Sequence, residues 1–178
     1  MQVIDKLIII HPQISIWSGV KKLHPEDIGY TVQDELIRLG DKRIVPKARL
    51  NPLERLKKKM DRVLASYGVK LMGGYAVPED NLDQIYEELR LIETEYVQAR
   101  EEFVQNFWVY VWEQIEQYPA WQAVLHKAAT ELEPSLPGKF VFHYQAYKVK
   151  PPQAEESEIN SKFISDQEVD SKASQELA

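Results

Sequence analysis

Apolar residues recur at steps of three or four from Asn81 to Gln117: Leu82, Ile85, Tyr86, Leu89, Ile92, Tyr96, Phe103, Phe107, Val111 and Ile115. That spacing keeps one helical face apolar for about ten turns. Neither Pro nor Gly interrupts it, so the pattern predicts one helix about 55 Å long at roughly 1.5 Å per residue. A helix of that length exceeds what a small domain needs, and the expectation is a protruding helix. From Phe103 to Trp112 the apolar residues surround the axis, which requires burial on more than one side. Pro119 ends the run, and Trp121, Val124, Leu125, Ala128 and Leu132 predict a return helix over 120–132, closing an αα-hairpin.

Elsewhere the period changes. Leu7 to Ile10 and Ile14 to Trp17 are rich in β-branched residues and read as a strand interrupted or bulged at His11-Pro12. Val20 to Leu23 finishes that edge element, and His24 to Asp27 forms a short helical turn or loop. Asp34 to Leu39 reads as a short helix stopped by Gly40, and Lys42 to Val45 as a short strand closed by Pro46. Asn51-Pro52-Leu53-Glu54 places Asn as an N-cap, Pro at the first helical position and Glu where a capping box takes an acid. The helix so started carries Leu53, Leu56, Met60, Val63 and Leu64 inward and ends at Gly68. Val69 to Met72, Gly73-Gly74 and Tyr75 to Val77 give a tight hairpin or a strand with a glycine bulge, the shortness of each flank favouring the bulge. Lys139 to Val149 alternates fully, with Phe140, Phe142, Tyr144 and Ala146 on one face and Val141, His143, Gln145 and Tyr147 on the other, a long strand stopped by Pro151-Pro152. The order lacks regular βα alternation, which predicts an α+β domain: a small, mainly antiparallel sheet backed by helices over residues 1–152.

Charge refines this picture. The net charge of −6 is concentrated after residue 152, where seven acids face two lysines. That segment, 153–178, reads as an acidic disordered tail. Within the remainder, Arg38 to Arg62 holds ten basic residues and Glu79 to Gln117 eleven acidic ones, so oppositely charged segments are neighbours. The absence of cysteine excludes disulfides, thiolate catalysis and Cys-ligated metal, and fits a cytoplasmic location. No apolar run approaches the ~20 residues of a membrane span, and Leu7 to Ile10 is too short for a signal peptide.

Two constellations invite a functional reading. Arg55, Lys58, Lys59 and Arg62 share one helical face, which Lys42, Arg43, Lys47 and Arg49 could extend into a phosphate-contacting patch. The competing reading is a solvated face, or one paired with the acidic long helix. Trp17, Phe103, Phe107, Trp108, Val111 and Trp112 are candidates for a protein interface, since aromatic residues are favoured in binding hot spots; core packing is the default for most of them. Glu88, Glu95 and Glu102 repeat every seven residues, but ligands on one line do not converge on a metal. The four histidines lack metalloprotease spacing. No phosphate-binding loop, dinucleotide fingerprint or serine-nucleophile motif is present, so the sequence names no catalytic set and no cofactor.

The runs Ile16 to Leu23 (IWSGVKKL), Leu39 to Arg43 (LGDKR), Gly68 to Asp80 (GVKLMGGYAVPED) and Phe140 to Val149 (FVFHYQAYKV) resemble the bacterial and phage family called domain of unknown function 3150. The resemblance implies proteins of mobile elements, often encoded beside a MoxR-like AAA+ ATPase and a von Willebrand A-type protein, without established catalytic residues. The expectation is a non-enzymatic interaction component with a protein partner, an AAA+ ATPase among the candidates, or a second copy. The alternative is a nucleic-acid-binding accessory protein using the basic helix face.

Overall fold

The computed structural model describes residues 7–29 and 40–148. The expected short helix at 34–39 and the acidic tail lie outside them. Six strands and four α-helices follow in the order β1 (Leu7–Ser15), β2 (Val20–Lys22), β3 (Asp41–Arg43), α1 (Asn51–Tyr67), β4 (Val69–Leu71), β5 (Gly74–Pro78), α2 (Leu82–Gln105), α3 (Phe107–Gln117), α4 (Gln122–Leu132) and β6 (Val141–Lys148). The fold is α+β, as expected. An antiparallel sheet has the strand order β4-β5-β1-β6, and β2 and β3 form a separate two-stranded ribbon.

β1 is the spine of the sheet. Its residues 7–10 pair with β5, whereas 8–15 pair without a break with β6. The expected bulge at His11-Pro12 is absent: Pro12 stands opposite Tyr144 in register. Among the described residues, the strand past Ile10 has a partner on one side only, because β5 begins at Gly74, and a one-sided position tolerates a residue that cannot donate. The glycine segment also departs from the expectation of a bulge. Leu71 pairs with Gly74, and Met72 and Gly73 between them both have positive φ (49° and 78°), the two-residue mirror-image turn that matches strand twist.

Ile8 and Ile10 of β1, with Tyr75 and Val77 of β5, point to the face covered by α1 and α2 and meet Met60, Leu64, Ile85, Leu89 and Ile92. A second core lies around the ribbon and the hairpin of α3 and α4, where Trp17, Ile44, Val45, Leu50 and Leu53 meet Tyr96, Phe103, Phe107, Val111, Leu125 and Leu136. Ile14, Leu56 and Phe142 touch both cores. The structure therefore draws the long helix into the core along its length instead of letting it protrude, with buried residues from Ile85 through Ile115.

That helix is also not continuous. Asn106 leaves helical geometry (φ −95°, ψ 9°), and its side-chain nitrogen donates to the Glu102 carbonyl at 2.8 Å. The Asn106 backbone N–H donates to the same carbonyl at 3.0 Å, so the Glu102 oxygen is shared between backbone and side chain where α2 gives way to α3. Asn51, expected as an N-cap, is instead helical: the turn Lys47–Leu50 already winds as a 3-10 helix and runs into α1, so the start shifts upstream. Gly68 ends α1, but in extended geometry (φ −162°). A Cβ there would fall well inside contact distance of the Ala76 carbonyl oxygen, so glycine is required by closeness to β5.

Candidate interaction surfaces

The basic face forms only in part. Arg55, Lys58, Lys59 and Arg62 are all exposed on α1, opposite the buried Leu53, Met60 and Leu64. Lys59 reaches across to α2 and binds Glu95 at 2.8 and 3.0 Å, which is the pairing with the acidic helix weighed above. Arg62 donates to the Lys58 carbonyl at 3.2 Å. Among the described residues, Arg55 and Lys58 make no ion pair.

Lys42 is no part of that patch. It is 8 % exposed, and its ammonium is held by Asp27 of the short turn Pro25–Ile28, whose side chain is 9 % exposed. The same carboxylate oxygen accepts the His24 backbone amide at 2.8 Å. Burial raises the Asp27 pKa, but the Lys42 and His24 hydrogen bonds, with the charges of Lys42 and His24, outweigh it and hold the carboxyl below its ordinary value. Arg43 is half-buried and turns to the Ser18 carbonyl at 3.5 Å. Arg49 is likewise occupied, binding Glu113 on α3 at 2.5 and 2.8 Å and lying over the Tyr110 ring at 5.0 Å.

The aromatic candidates divide more sharply. Trp17 is core, not surface: it is 8 % exposed, stands edge-on to Phe103 (6.4 Å) and Phe107 (6.2 Å), and donates its indole N–H to the Val20 carbonyl at 3.1 Å. Phe103, Phe107 and Val111 are buried in the same core. The apolar stretch is thus satisfied within the chain on the side of Phe103, Phe107 and Val111, while Val109 and Trp112 stay exposed. Trp108 is half-buried, donating to Glu133 at 2.8 Å with its ring 5.2 Å from that of His126. Trp112 alone among the six is exposed, at 44 %, and it too approaches His126, at 6.1 Å.

Sequence reasoning missed the neighbours that make Trp112 interesting. Val109, Tyr118 and Trp121 are also exposed, all on α3 or at its junction with α4. Tyr118 and Trp121 line a cleft of about 420 Å3 with Leu23, Gln114, Leu125 and the ribbon residues Asp41, Lys42 and Arg43. A signal was available, since Tyr118 and Trp121 flank Pro119, and residues at a tight hairpin corner are poorly covered. Among the described residues, no group of three potential metal ligands converges. No helix there is long and apolar enough to cross a membrane.

A mixed α+β domain with an aromatic-tipped helical hairpin and a partly neutralised basic face defines a class of chain without assigning it a reaction. The model of the family described as a protein of unknown function (DUF3150) matches residues 4–173, and the chain belongs to that family. The match runs well into the acidic segment after residue 152, further than the motifs alone suggested. No curated protein and no solved structure matches.

Proposed function

We propose that this protein is a non-enzymatic, cytoplasmic interaction component that docks a protein partner through the α3–α4 hairpin. The observation that supports this most is the exposure of Val109, Trp112, Tyr118 and Trp121 on a hairpin where Phe107 is buried and Trp108 and Tyr110 are half-buried. Tryptophan and tyrosine gain most on transfer into a partner's pocket, and a rigid helical platform limits the entropy cost. The family neighbourhood makes a MoxR-like AAA+ ATPase of a mobile element the first partner to test. The test is co-purification of the chain with a MoxR-like AAA+ ATPase, with Trp112→Ser and Trp121→Ser as variants. Retained folding with lost co-purification supports the reading; unchanged binding by both variants refutes it.

A nucleic-acid role through α1 has narrower support. Lys42 is buried and paired, Lys59 and Arg49 are paired, and Arg43 is half-buried against the Ser18 carbonyl, leaving Lys47, Arg55, Lys58 and Arg62 as the exposed remainder. Binding of a short duplex by those four would weaken steeply with salt, whereas apolar docking by the hairpin would not.

A further inference from the structure

The outer edge of β6 is the largest unused feature of the sheet. β6 is last in the strand order, eight residues long, and among the described residues has a strand partner only in β1. Its sequence, Val141-Phe-His-Tyr-Gln-Ala-Tyr-Lys148, has no Pro and one charged residue, which lies at its end. Natural edges are usually blunted by charge, Pro, bulges or brevity, and this one has none of these in its central part. Beside it, α2 leaves a groove of about 640 Å3 lined by Asp83, Tyr86, Glu87, Arg90, Tyr144 and Ala146.

We infer that β6 pairs antiparallel with β6 of a second copy about a two-fold axis at Tyr144, joining two four-stranded sheets into one of eight. The edge is self-complementary in that register. Tyr144 meets itself, His143 meets Gln145, Phe142 meets the small Ala146, and Val141 meets Tyr147, each pair on one face of the sheet as antiparallel pairing requires. Lys148 falls outside the paired stretch, where it is held by Glu79 at 2.9 Å.

The charges on α2 fit the same axis. Glu79, just before α2, holds Lys148; Tyr86 stacks on Tyr144 at 6.0 Å; and Tyr96 packs on Phe142 at 5.3 Å. α2 therefore runs antiparallel to β6, with Tyr86 over the proposed axis. Asp83 lies about 4.5 Å from Tyr86 along the helix axis in one direction, and Arg90 about 6 Å in the other. A two-fold at Tyr86 brings Asp83 of one copy level with Arg90 of the next, twice per dimer. Glu87 falls near its own symmetry mate and is the one unfavourable element. All three are exposed, so their replacement leaves the core untouched.

This surface is separate from the aromatic hairpin, so the two proposals fail independently. The experiment is light scattering across a concentration series of the full chain. The expected mass is twice the 20.7 kDa of one chain. D83R and R90D should each weaken the dimer about tenfold or more by opposing like charges. The D83R/R90D double variant should restore it, and Glu87→Gln should tighten it. Ala146→Lys, which places a charge on the edge itself, should yield monomer with an unchanged far-ultraviolet spectrum. A wild-type monomer at the highest soluble concentration would overturn the inference. So would a dimer equally stable in D83R, R90D and Ala146→Lys, because the contact would then lie elsewhere.

Discussion

Replacing Asp27 by Ala should destabilise this protein severely, although nothing near the residue in sequence marks it as structural. Its carboxylate and the Lys42 ammonium have side chains 9 % and 6 % exposed. Removing one partner of a buried pair leaves the other charge uncompensated, at a cost of about 3–5 kcal/mol. Loss of the bond to the His24 amide falls within that figure. Against a total stability of about 5–15 kcal/mol, this is a large fraction. Lys42→Met on the Asp27→Ala background removes the stranded ammonium and should recover most of the loss. The pH profile gives an independent check. The Asp27 pKa is depressed in the folded state, so its contribution is complete above the ordinary carboxylate value of 3.8 and disappears as pH falls through the lower folded value. The stability difference between wild type and Asp27→Asn should therefore be flat above about pH 5 and shrink below 3.8. Urea unfolding followed by tryptophan emission, with the slope held as a control, reads both effects. An Asp27→Ala variant within about 0.5 kcal/mol of wild type would refute the argument, since that is how an exposed surface acid behaves.

Trp17→Ala should cost about 3–5 kcal/mol in the same assay, as a large cavity in the second core, while Trp112→Ala should stay within about 0.5 kcal/mol. Comparable losses for the two would mean that core and surface have been misassigned. Gly68→Ala should cost about 1–3 kcal/mol, because the new methyl group displaces β5 from α1 at the Ala76 carbonyl; a thermal midpoint equal to wild type would contradict that. Tyr96 donates to the Ser15 carbonyl at 2.7 Å, and burial, opposed by the Arg100 charge, pushes its pKa up to about 12. A raised folded pKa gives stability that is complete below the unfolded value near 10 and is lost as pH climbs toward 12, so Tyr96→Phe should flatten the alkaline limb and cost about 1 kcal/mol at neutral pH. An alkaline limb identical in the two proteins would count against the bond.

The periodic parts of the fold were legible for a physical reason. A helix face or a pleated strand repeats its environment every 3.6 or 2 residues, so Leu53, Met60 and Leu64 and the series from Ile85 to Ile115 announce their own burial, and the alternation of β6 announces a strand with Phe142 and Tyr144 half-buried. What the pattern does not contain is a break caused by one side chain. Asn106 sits between apolar residues at helical spacing, and only its backbone angles and the sharing of the Glu102 carbonyl with its side chain reveal the interruption. The Met72-Gly73 turn was obscured because a non-glycine residue adopts positive φ there, at a tip where Met72 is 84 % exposed. Lys42 was misjudged for a different reason. Its local neighbours are basic and polar, and the acid that buries it lies fifteen residues earlier on another element.

The same tertiary pairing decides what the polarised charge can mean. The basic and acidic segments meet in space through Lys59 with Glu95 and Arg49 with Glu113, while Lys21 with Glu131 and Lys148 with Glu79 join other elements. Exposed pairs of this kind contribute about 0–1 kcal/mol each, so they do not hold the fold together. Their consequence is that they neutralise cations which would otherwise form one phosphate-binding stripe from the ribbon to the end of α1. Among the described residues, Lys47, Arg55, Lys57, Lys58 and Arg62 stay exposed without an ion pair, a row interrupted at Arg49 and Lys59, whereas Val109, Trp112, Tyr118 and Trp121 are exposed on α3 and its junction with α4. A broken basic stripe beside an exposed aromatic tip is therefore the charge argument that ranks the proposed protein docking above the phosphate-binding alternative.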